Sequence, residues 1–411
     1  MGVTATMSVF GTVATVLVLL IHRYLWKRLA RDTGLRGGAR FAVTLGLVVL
    51  ATALLASLFL RRSIDRDVLS PLPMIAWAWA GVMFYLLLFM GAADLARLPG
   101  KIRRALALRS NRRKQASAPE AEQTAPAPPD PARRQVLARI AASTAALGAT
   151  GMGLYGFRSA RGGDFELPEH AVRIPRLPPA LDGFRIVHLT DIHVGPTIDR
   201  RFLTDVVDKT NALKPDLVVI TGDLVDGSVE SLGGDVAELA KLRGRFGTAF
   251  VTGNHEFFSG VDPWVEYLRG LGIRVLANER VRIGDAGPGG ASFDLAGIHD
   301  AWGGRRGAAY APDLGRALAG RDPERGLVLL AHQPKQIADT EGFGVDLQLS
   351  GHTHGGQLWP FGAAAAMVQP WIRGLHRHGD TQIYVSQGTG YWGPPMRVGA
   401  PPEIASLILT V

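Results

Sequence analysis

Three long apolar runs without a charged residue lie within the first hundred residues, and they restrict this chain more than any other feature. They are Val3 to Ile21, Phe41 to Leu60 and Pro71 to Ala93. About 20 such residues cross a bilayer as a helix, and three runs of this kind are not expected of buried helices in a soluble protein. A fourth run, Ile140 to Phe157, is uncharged but rich in Ala, Gly, Ser and Thr. We predict four membrane spans, the fourth on weaker hydrophobicity.

The net charge of +9 is concentrated in the N-terminal part of the chain. Residues 1–157 contain 20 Lys and Arg against 7 Asp and Glu, whereas residues 158–411 contain 25 against 29. This distribution argues against nucleic-acid binding by the C-terminal part. Cations are most numerous in 22–40 and 94–135, which places these loops in the cytoplasm. Four spans would put the C-terminal part outside the cytoplasm, and three would keep it inside.

Two features connect the membrane part to the rest of the chain. Residues 116–132 are dense in Ala, Pro, Glu and Gln, which predicts a flexible linker. Arg133-Arg134-Gln135-Val136-Leu137 resembles a twin-arginine export signal, with an ordinary positive flank as the alternative. We divide the chain into a transmembrane region 1–157, a connector 158–180 and a soluble domain 181–411.

From Phe184 onward, short apolar runs alternate with amphipathic segments, an order that predicts an α/β domain. The predicted strands are 184–189, 217–220, 248–251, 293–297, 327–330, 347–349, 382–385 and 404–409. The first predicted helices are 201–213 and 236–242. Many strands are unbroken runs of Val, Ile and Leu, as expected where both faces of a sheet are covered.

Polar clusters directly follow five of these strands. They are Asp191-Ile192-His193, Gly222-Asp223 with Asp226, Gly253-Asn254-His255-Glu256, His332, and Gly351-His352-Thr353-His354. Because strand ends converge at one edge of an open sheet, these side chains can share a site. The chain has no cysteine, and Asp, His and Asn ligands suit Mn²⁺, Zn²⁺ or Fe²⁺. Seven potential ligands exceed the needs of one tetrahedral ion, which favours two metals sharing a bridging carboxylate.

Five motifs occur in this order along the chain: D-x-H, G-D-x-x-D, G-N-H-E, a separate His and G-H-x-H. Together they resemble the motifs of the calcineurin-like metallophosphoesterases, and the resemblance covers about residues 181–411. The segments Gly351 to Gln357 and Tyr391 to Arg397 are similar to those of a membrane-associated bacterial branch. The resemblance implies an α/β fold with four layers, an α/β/β/α sandwich, following an N-terminal all-α transmembrane region.

The resemblance also implies a role for each matched residue. The first metal would be held by Asp191, His193 and His354, the second by Asn254, His332 and His352, with Asp223 between them. Phosphoester hydrolysis would use a hydroxide that bridges the metals, without a covalent intermediate. His255 would act at the leaving-group oxygen, and Asp226 and Glu256 would orient ligand histidines. His299 and Arg397 are candidate substrate contacts, with a loop turn and packing as their respective alternatives.

We therefore expect a membrane-anchored phosphohydrolase of the bacterial inner membrane, with its catalytic domain on the extracytoplasmic side. Tethering near a bilayer favours a lipid-linked or envelope phosphoester, and no nucleic-acid partner is expected. Two alternatives stay open: a cytoplasm-facing nucleotide phosphatase, if 140–157 does not span, and a non-catalytic membrane sensor. The complete ligand motifs argue against the sensor.

Overall fold

The computed structural model describes residues 2–59, 71–115, 131–285, 287 and 290–411. The chain divides into two compact units, Met1–Leu154 and Tyr155–Val411. Residues 61–70, between the second and third predicted spans, and all but the last two residues of the predicted linker 116–132 lie outside the described residues.

Long helices account for the N-terminal part. They are α1 Gly2–Trp26, α2 Gly37–Phe59, α3 Pro71–Gln115 and α4 Pro131–Arg161. Two stretches of the described chain are long and apolar enough to cross a membrane, Gly37–Phe59 and Pro71–Gly100. In the most apolar 18 residues of each stretch, only 28 % and 33 % are buried, whereas a core helix of a soluble protein would be mostly buried. The runs 3–21 and 140–157 lie on α1 and α4, and their role as spans stays a prediction.

The second unit contains two mixed six-stranded sheets. The first has the order β1-β12-β2-β3-β4-β5, and the second has the order β10-β11-β9-β8-β7-β6. The strands of the first sheet are β1 Glu169–Arg173, β2 Phe184–Leu189, β3 Leu217–Ile220, β4 Thr248–Phe250, β5 Arg274–Val275 and β12 Ala405–Thr410. Those of the second are β6 Glu279–Gly284, β7 Ser292–Gly297, β8 Leu327–Leu330, β9 Leu347–Ser350, β10 Gly374–His378 and β11 Thr381–Val385.

The helices of this unit are short and lie between the strands in sequence. They are α5 Arg200–Ala212, α6 Val229–Val236, α7 Asn254–Ser259, α8 Val261–Gly270, α9 Leu314–Ala317 and α10 Gly362–Ala365. Asp199 begins α5 as its N-cap, because its side chain accepts a hydrogen bond from the backbone N–H of Phe202. The helix predicted at 236–242 instead begins at Val229, and residues 237–241 form a 3₁₀ turn.

Side chains alternate between two apolar cores, as the period of a strand requires. Ile186 and Val219 belong to the core shared by the two sheets, while Val187 and Ile220 belong to the core shared with the helices. The helix side chains in that second core include Phe202, Leu203, Val206 and Trp264. A further core joins α9 to the outer face of the second sheet. The domain is therefore an α/β/β/α sandwich, which confirms the predicted fold class.

Four strands were not predicted: β1, β5, β6 and β10. Strand β1 falls inside the predicted connector 158–180 and pairs with β12. Only Val172 of its five residues is buried, so its sequence shows no apolar run. Strand β5 has two residues, and β10, at the edge of its sheet, has no buried residue. These strands form because each pairs with a neighbouring strand, and the local sequence of the strand does not encode that pairing.

Candidate metal centre

The polar clusters lie where strands of both sheets end. Asp191 and His193 follow β2, Asp223 follows β3, and Asn254 begins α7 after β4. From the second sheet, His332 follows β8, and His352 and His354 follow β9. Parallel pairing of β2 with β3, of β3 with β4, and of β8 with β9 places these loops at the same edge of their sheet.

Asp191, His193 and His354 form the first group of converging side chains. One ligand atom from each lies within 4.8 Å of the other two. The His193 Nε2 and His354 Nε2 atoms are 3.1 Å apart, and His354 Nε2 is 3.6 Å from Asp191 Oδ1. Two ring nitrogens and a carboxylate oxygen directed at a common point form a donor set that a divalent cation can use.

Asp223, His332 and His352 form the second group. His332 Nε2 lies 3.1 Å from both His352 Nδ1 and Asp223 Oδ2. Nearby, the backbone N–H of His255 donates to Asp223 Oδ1, which brings the preceding residue, Asn254, to this group. Asn254 Oδ1 is buried and has no hydrogen-bond partner within the described part of the chain. An unpaired buried acceptor costs about 1–3 kcal/mol, so this oxygen fits a metal ligand.

Asp223 connects the two groups. Its Oδ2 atom is 3.1 Å from His332 Nε2 in the second group and 3.9 Å from His193 Nε2 in the first. A carboxylate shared in this way is what two neighbouring cations need. The oxygen and nitrogen donors, the sharing by Asp223 and the orphaned Asn254 oxygen together fit a centre for two metals.

The backbone at these ligands is strained. Asp191, His193, Asp223, His352 and His354 have φ angles of 53°, 57°, 49°, 70° and 51°. Eight non-glycine residues of the described chain have positive φ, and these are five of them. Such conformations cost about 1–3 kcal/mol each and persist where the surrounding fold imposes them. The concentration of strain at the ligands therefore supports a functional site.

Two glycines allow the loops to approach each other closely. A Cβ atom on Gly351 would lie 2.1 Å from Asp191 Oδ2, and one on Gly253 would lie 2.2 Å from Asp223 Oδ1. Any other residue would displace a ligand carboxylate, which explains the glycines in these motifs.

Asp226 and Thr221 orient the histidine rings. Asp226 Oδ1 lies 3.3 Å from His193 Nδ1 and 2.5 Å from His255 Nδ1. His332 Nδ1 lies 2.7 Å from the carbonyl oxygen of Thr221, so Nδ1 carries a proton and donates it to this oxygen. Ring nitrogens held in this way leave Nε2 free to bind a cation.

Glu256 has a different role from the one expected. Its carboxylate accepts hydrogen bonds from the backbone N–H groups of Gly253, Asp223 and Leu224 at 2.6, 3.0 and 2.8 Å. Burial, reinforced by Asp223, raises the pKa of Glu256 to about 7. The side chain therefore holds two ligand loops together through their backbone and does not orient a histidine.

His255 lies at the edge of the centre. Its Nε2 atom is 4.0 Å from Asp223 Oδ2, and its ring centroid is 5.4 Å from that of Phe258 and 5.7 Å from that of Trp392. Burial favours the neutral ring, but the carboxylates of Asp223 and Asp226 outweigh it and raise the pKa of His255 to about 9. The side chain is 15 % exposed, so it can meet a ligand from solvent.

Arg397 and His299 are both buried and do not face open solvent. Arg397 is 0 % exposed, and its Nη2 atom is 3.2 Å from His354 Nδ1. Its guanidinium also donates to backbone carbonyls, those of His354, Gln387, Gly388, Gly390 and Ala400. His299 Nδ1 is 3.0 Å from Thr252 Oγ1. The packing alternative therefore describes Arg397 better than a substrate contact does.

Two residues at the site were not predicted. Thr190 Oγ1 donates to Asp191 Oδ2 at 2.8 Å and fixes that carboxylate. Trp392 is 53 % exposed, and its ring lies beside that of His255. Thr190 directly precedes a ligand, but a hydroxyl at that position carries no distinctive pattern.

Comparisons with known proteins show what this chain is similar to. A family model described as calcineurin-like phosphoesterase matches residues 184–356. An uncharacterized metallophosphoesterase of Helicobacter pylori strain J99 is 42 % identical over 227 residues, which cover 55 % of this chain and 59 % of the relative. A transmembrane protein with metallophosphoesterase domain of Bos taurus is 42 % identical over 253 residues, which cover 59 % of this chain and 56 % of the relative. The chain thus spans less than two thirds of either protein.

A shorter relative is matched almost throughout. The uncharacterized metallophosphoesterase YkuE of Bacillus subtilis is 31 % identical over 289 residues, which cover 67 % of this chain and 97 % of the relative. The narrower expectation of a bacterial branch is wrong, because the bovine protein is as similar as the Helicobacter protein. The family match and the relatives show that this chain belongs to the calcineurin-like phosphoesterases.

Proposed function

We propose that the chain is a dinuclear-metal phosphohydrolase that cleaves phosphoesters. The observation that carries the proposal is the convergence of two ligand groups that share Asp223. Family membership supports the reaction class, because the matched region contains all the ligand motifs. The activity of the whole protein is part of this proposal, since the chain covers only part of its first relatives.

The proposal assigns the seven ligands to two positions. One position uses Asp191, His193 and His354, the other uses Asn254, His332 and His352, and Asp223 serves both. When bound, two divalent cations, Mn²⁺, Zn²⁺ or Fe²⁺, would bind the phosphoryl oxygens, neutralise their charge and lower the pKa of water. Asp226, Glu256, Thr190 and Arg397 keep the ligand side chains and loops in place through the contacts described above.

His255 is the proposed proton donor to the leaving-group oxygen. Its Nδ1 atom faces Asp226 at 2.5 Å, which directs Nε2 towards the metal centre. A ring held by a carboxylate on one nitrogen can give up a proton from the other. Because His255 lies beside the ligand Asn254, its position relative to a bound phosphate would be fixed by the same loop.

We extend the proposal to membrane association and to a lipid-linked or envelope phosphoester as substrate. Two candidate spans and the names of the transmembrane relatives support association with a membrane. The proposed arrangement is multi-pass, with the catalytic domain on the extracytoplasmic side of a bacterial inner membrane. A reporter fused after Val411 tests the side: alkaline phosphatase activity is expected, and fluorescence from a cytoplasmic reporter would contradict it.

The reaction is tested with the purified full-length chain and bis(p-nitrophenyl) phosphate in the presence of Mn²⁺. We expect turnover in the wild type and a loss of about 10²–10³-fold in Asp223→Asn, since this residue serves both metal positions. Asp380→Asn is the matched control, because Asp380 is a fully exposed aspartate in the β10–β11 turn. Unchanged turnover in Asp223→Asn would contradict the proposed centre.

A further inference from the structure

An exposed apolar segment follows the metal-ligand loop directly in sequence. Residues 359–368 read Trp-Pro-Phe-Gly-Ala-Ala-Ala-Ala-Met-Val and contain no charged residue. Trp359, Phe361, Met367 and Val368 are 62, 57, 80 and 73 % exposed. Single exposed apolar residues are common, but several of them in one short segment indicate an interaction surface. We call residues 359–368 the apolar segment.

The apolar segment has a defined backbone structure. It contains the short helix α10, and the Ala365 N–H donates to the Phe361 carbonyl oxygen at 3.1 Å. At its start, the Trp359 N–H donates to the Val398 carbonyl oxygen at 2.9 Å. Just after its end, the buried Gln369 accepts a hydrogen bond from the Lys335 N–H. A hydrogen-bonded turn anchored at both ends therefore holds the large side chains outward.

The start of the segment is connected to the rim of the metal centre. The Gln357 side chain, two residues before Trp359, donates to the Trp392 carbonyl oxygen and accepts from the Trp392 N–H, each at 2.9 Å. The exposed Trp392 ring lies 5.7 Å from the His255 ring. Whatever binds the apolar segment is therefore brought close to the proposed proton donor.

We propose that the apolar segment inserts into the interfacial layer of a lipid bilayer and presents the metal centre to amphiphilic phosphoesters. Tryptophan is enriched where apolar and aqueous phases meet, and an uncharged tip of Phe, Met and Val can enter the acyl boundary. Two exposed cations lie near its ends: the Lys335 N–H donates to Gln369, and Arg373 donates to the carbonyl oxygen of Gly399, beside Trp359. They complement anionic headgroups. The same chain carries two candidate membrane helices, which makes a bilayer the apolar phase it would meet.

Insertion is tested by site-directed spin labelling of the full-length chain, which contains no native cysteine. Met367→Cys places a label in the segment, and Val411→Cys is the control. Val411 is also apolar and 51 % exposed, but its N–H donates to Asp182 near the start of β2, at the opposite end of the sheet from the metal centre. The chain is reconstituted into vesicles of phosphatidylethanolamine and phosphatidylglycerol.

We expect the label at position 367 to be shielded from a water-soluble nickel chelate and accessible to oxygen, and the label at position 411 to show the reverse. Equal access of the nickel chelate to both labels would overturn the proposal. Shielding at position 367 that increases with the protein-to-lipid ratio would indicate contact with a second copy of the chain and would also overturn it. None of these readouts depends on catalysis.

The catalytic consequence rests on the proposed function and has its own test. In the double variant Met367→Ser/Val368→Ser, hydrolysis of a phosphodiester lipid in vesicles should fall about tenfold, because several CH₂ groups are lost from the interface. Hydrolysis of soluble bis(p-nitrophenyl) phosphate should be unchanged. Equal loss on both substrates, or no loss on either, would overturn the presentation role. If the wild type hydrolyses neither substrate, the proposed function is wrong. The spin-label experiment would still test whether the apolar segment inserts into the bilayer.

Discussion

The metal centre and the apolar segment are neighbours in sequence, yet they depart from the usual placement of residues in opposite ways. Asp191 and His332 are fully buried although they are polar, whereas Met367 and Val368 are 80 % and 73 % exposed although they are apolar. Burying ionisable groups and exposing apolar ones both oppose folding stability. This contrast supports the proposals that one region binds cations and phosphate and that the other meets an apolar phase.

The two regions also differ in how the fold holds them. The proposed ligands of the metal centre come from loops of both sheets, and five of the seven have left-handed backbone conformations, so their geometry depends on distant contacts. The apolar segment is a local turn that is fixed mainly at its two ends. Substitutions in the first region should therefore affect every substrate, and substitutions in the second should affect only substrates held in a membrane.

The largest effect is expected from removing a ligand. His354→Ala should lower turnover of soluble and vesicle-bound phosphodiesters alike by about 10³-fold, because one metal position loses a ring nitrogen. His378→Ala, which changes an exposed histidine of β10, is the control. A loss of turnover confined to the vesicle-bound substrate would show that His354 acts like the apolar segment, and it would contradict the proposed difference between the two regions.

A smaller loss is expected at the proposed proton donor. His255→Ala should reduce kcat for both substrates by about 10²-fold while leaving the bound metal content unchanged, because this residue is not a proposed ligand. Metal analysis beside steady-state kinetics separates this outcome from that of a ligand variant. If His255→Ala loses metal in parallel with activity, the donor role is wrong.

Arg397 should affect activity by raising the affinity of the chain for metal ions. Arg397→Lys keeps the charge but cannot reach all the carbonyls that the guanidinium contacts, so the loop of His354 should loosen. We expect metal affinity to fall between about 10-fold and 100-fold, with activity restored at high metal concentration. Arg373→Lys, at an exposed arginine that contacts Gln387 and Gly399, is the control. Loss of activity that added metal does not restore would contradict a positioning role.

The smallest effect is expected on the free energy of unfolding. Two glycine variants separate the effect of close packing beside the proposed ligands from a general loss of stability. Gly351→Ala places a Cβ atom against Asp191 and Thr190. Overpacking of this kind should destabilise the fold by about 1–3 kcal/mol and weaken metal binding at the same time. Gly379→Ala, in an open turn with positive φ, should cost stability without affecting metal affinity. Equal metal affinity in both variants would show that the close approach at Gly351 does not matter.

The convergence of the candidate ligands could be predicted from sequence because they follow apolar strands and are flanked by glycines. A motif reports which residues are near each other but not which atoms they contact. For this reason the motif assigns Glu256 to a histidine, although it binds backbone N–H groups, and it leaves Arg397 open between a substrate contact and packing. The edge strand β1 escaped prediction because only Val172 of it is buried, and its pairing with β12 depends on residues more than two hundred positions away.

The apolar segment could not be recognised from sequence for a different reason. An uncharged run with Trp, Phe, Met and Val has the composition of a core element, and exposure is a property of the folded chain alone. In the folded chain, the hydrogen bonds at Trp359 and Gln369 hold the ends of the segment and leave its large side chains exposed.

The number of metal ions bound per chain distinguishes a centre for two metals from a site that holds one ion or none. The purified full-length chain, loaded with Mn²⁺ or Zn²⁺ and freed of excess metal, is analysed by inductively coupled plasma mass spectrometry together with Asp223→Asn. We expect two ions per chain in the wild type and fewer in the variant, because Asp223 serves both proposed positions. A wild-type chain that hydrolyses phosphodiesters at full rate with one ion or none would contradict it.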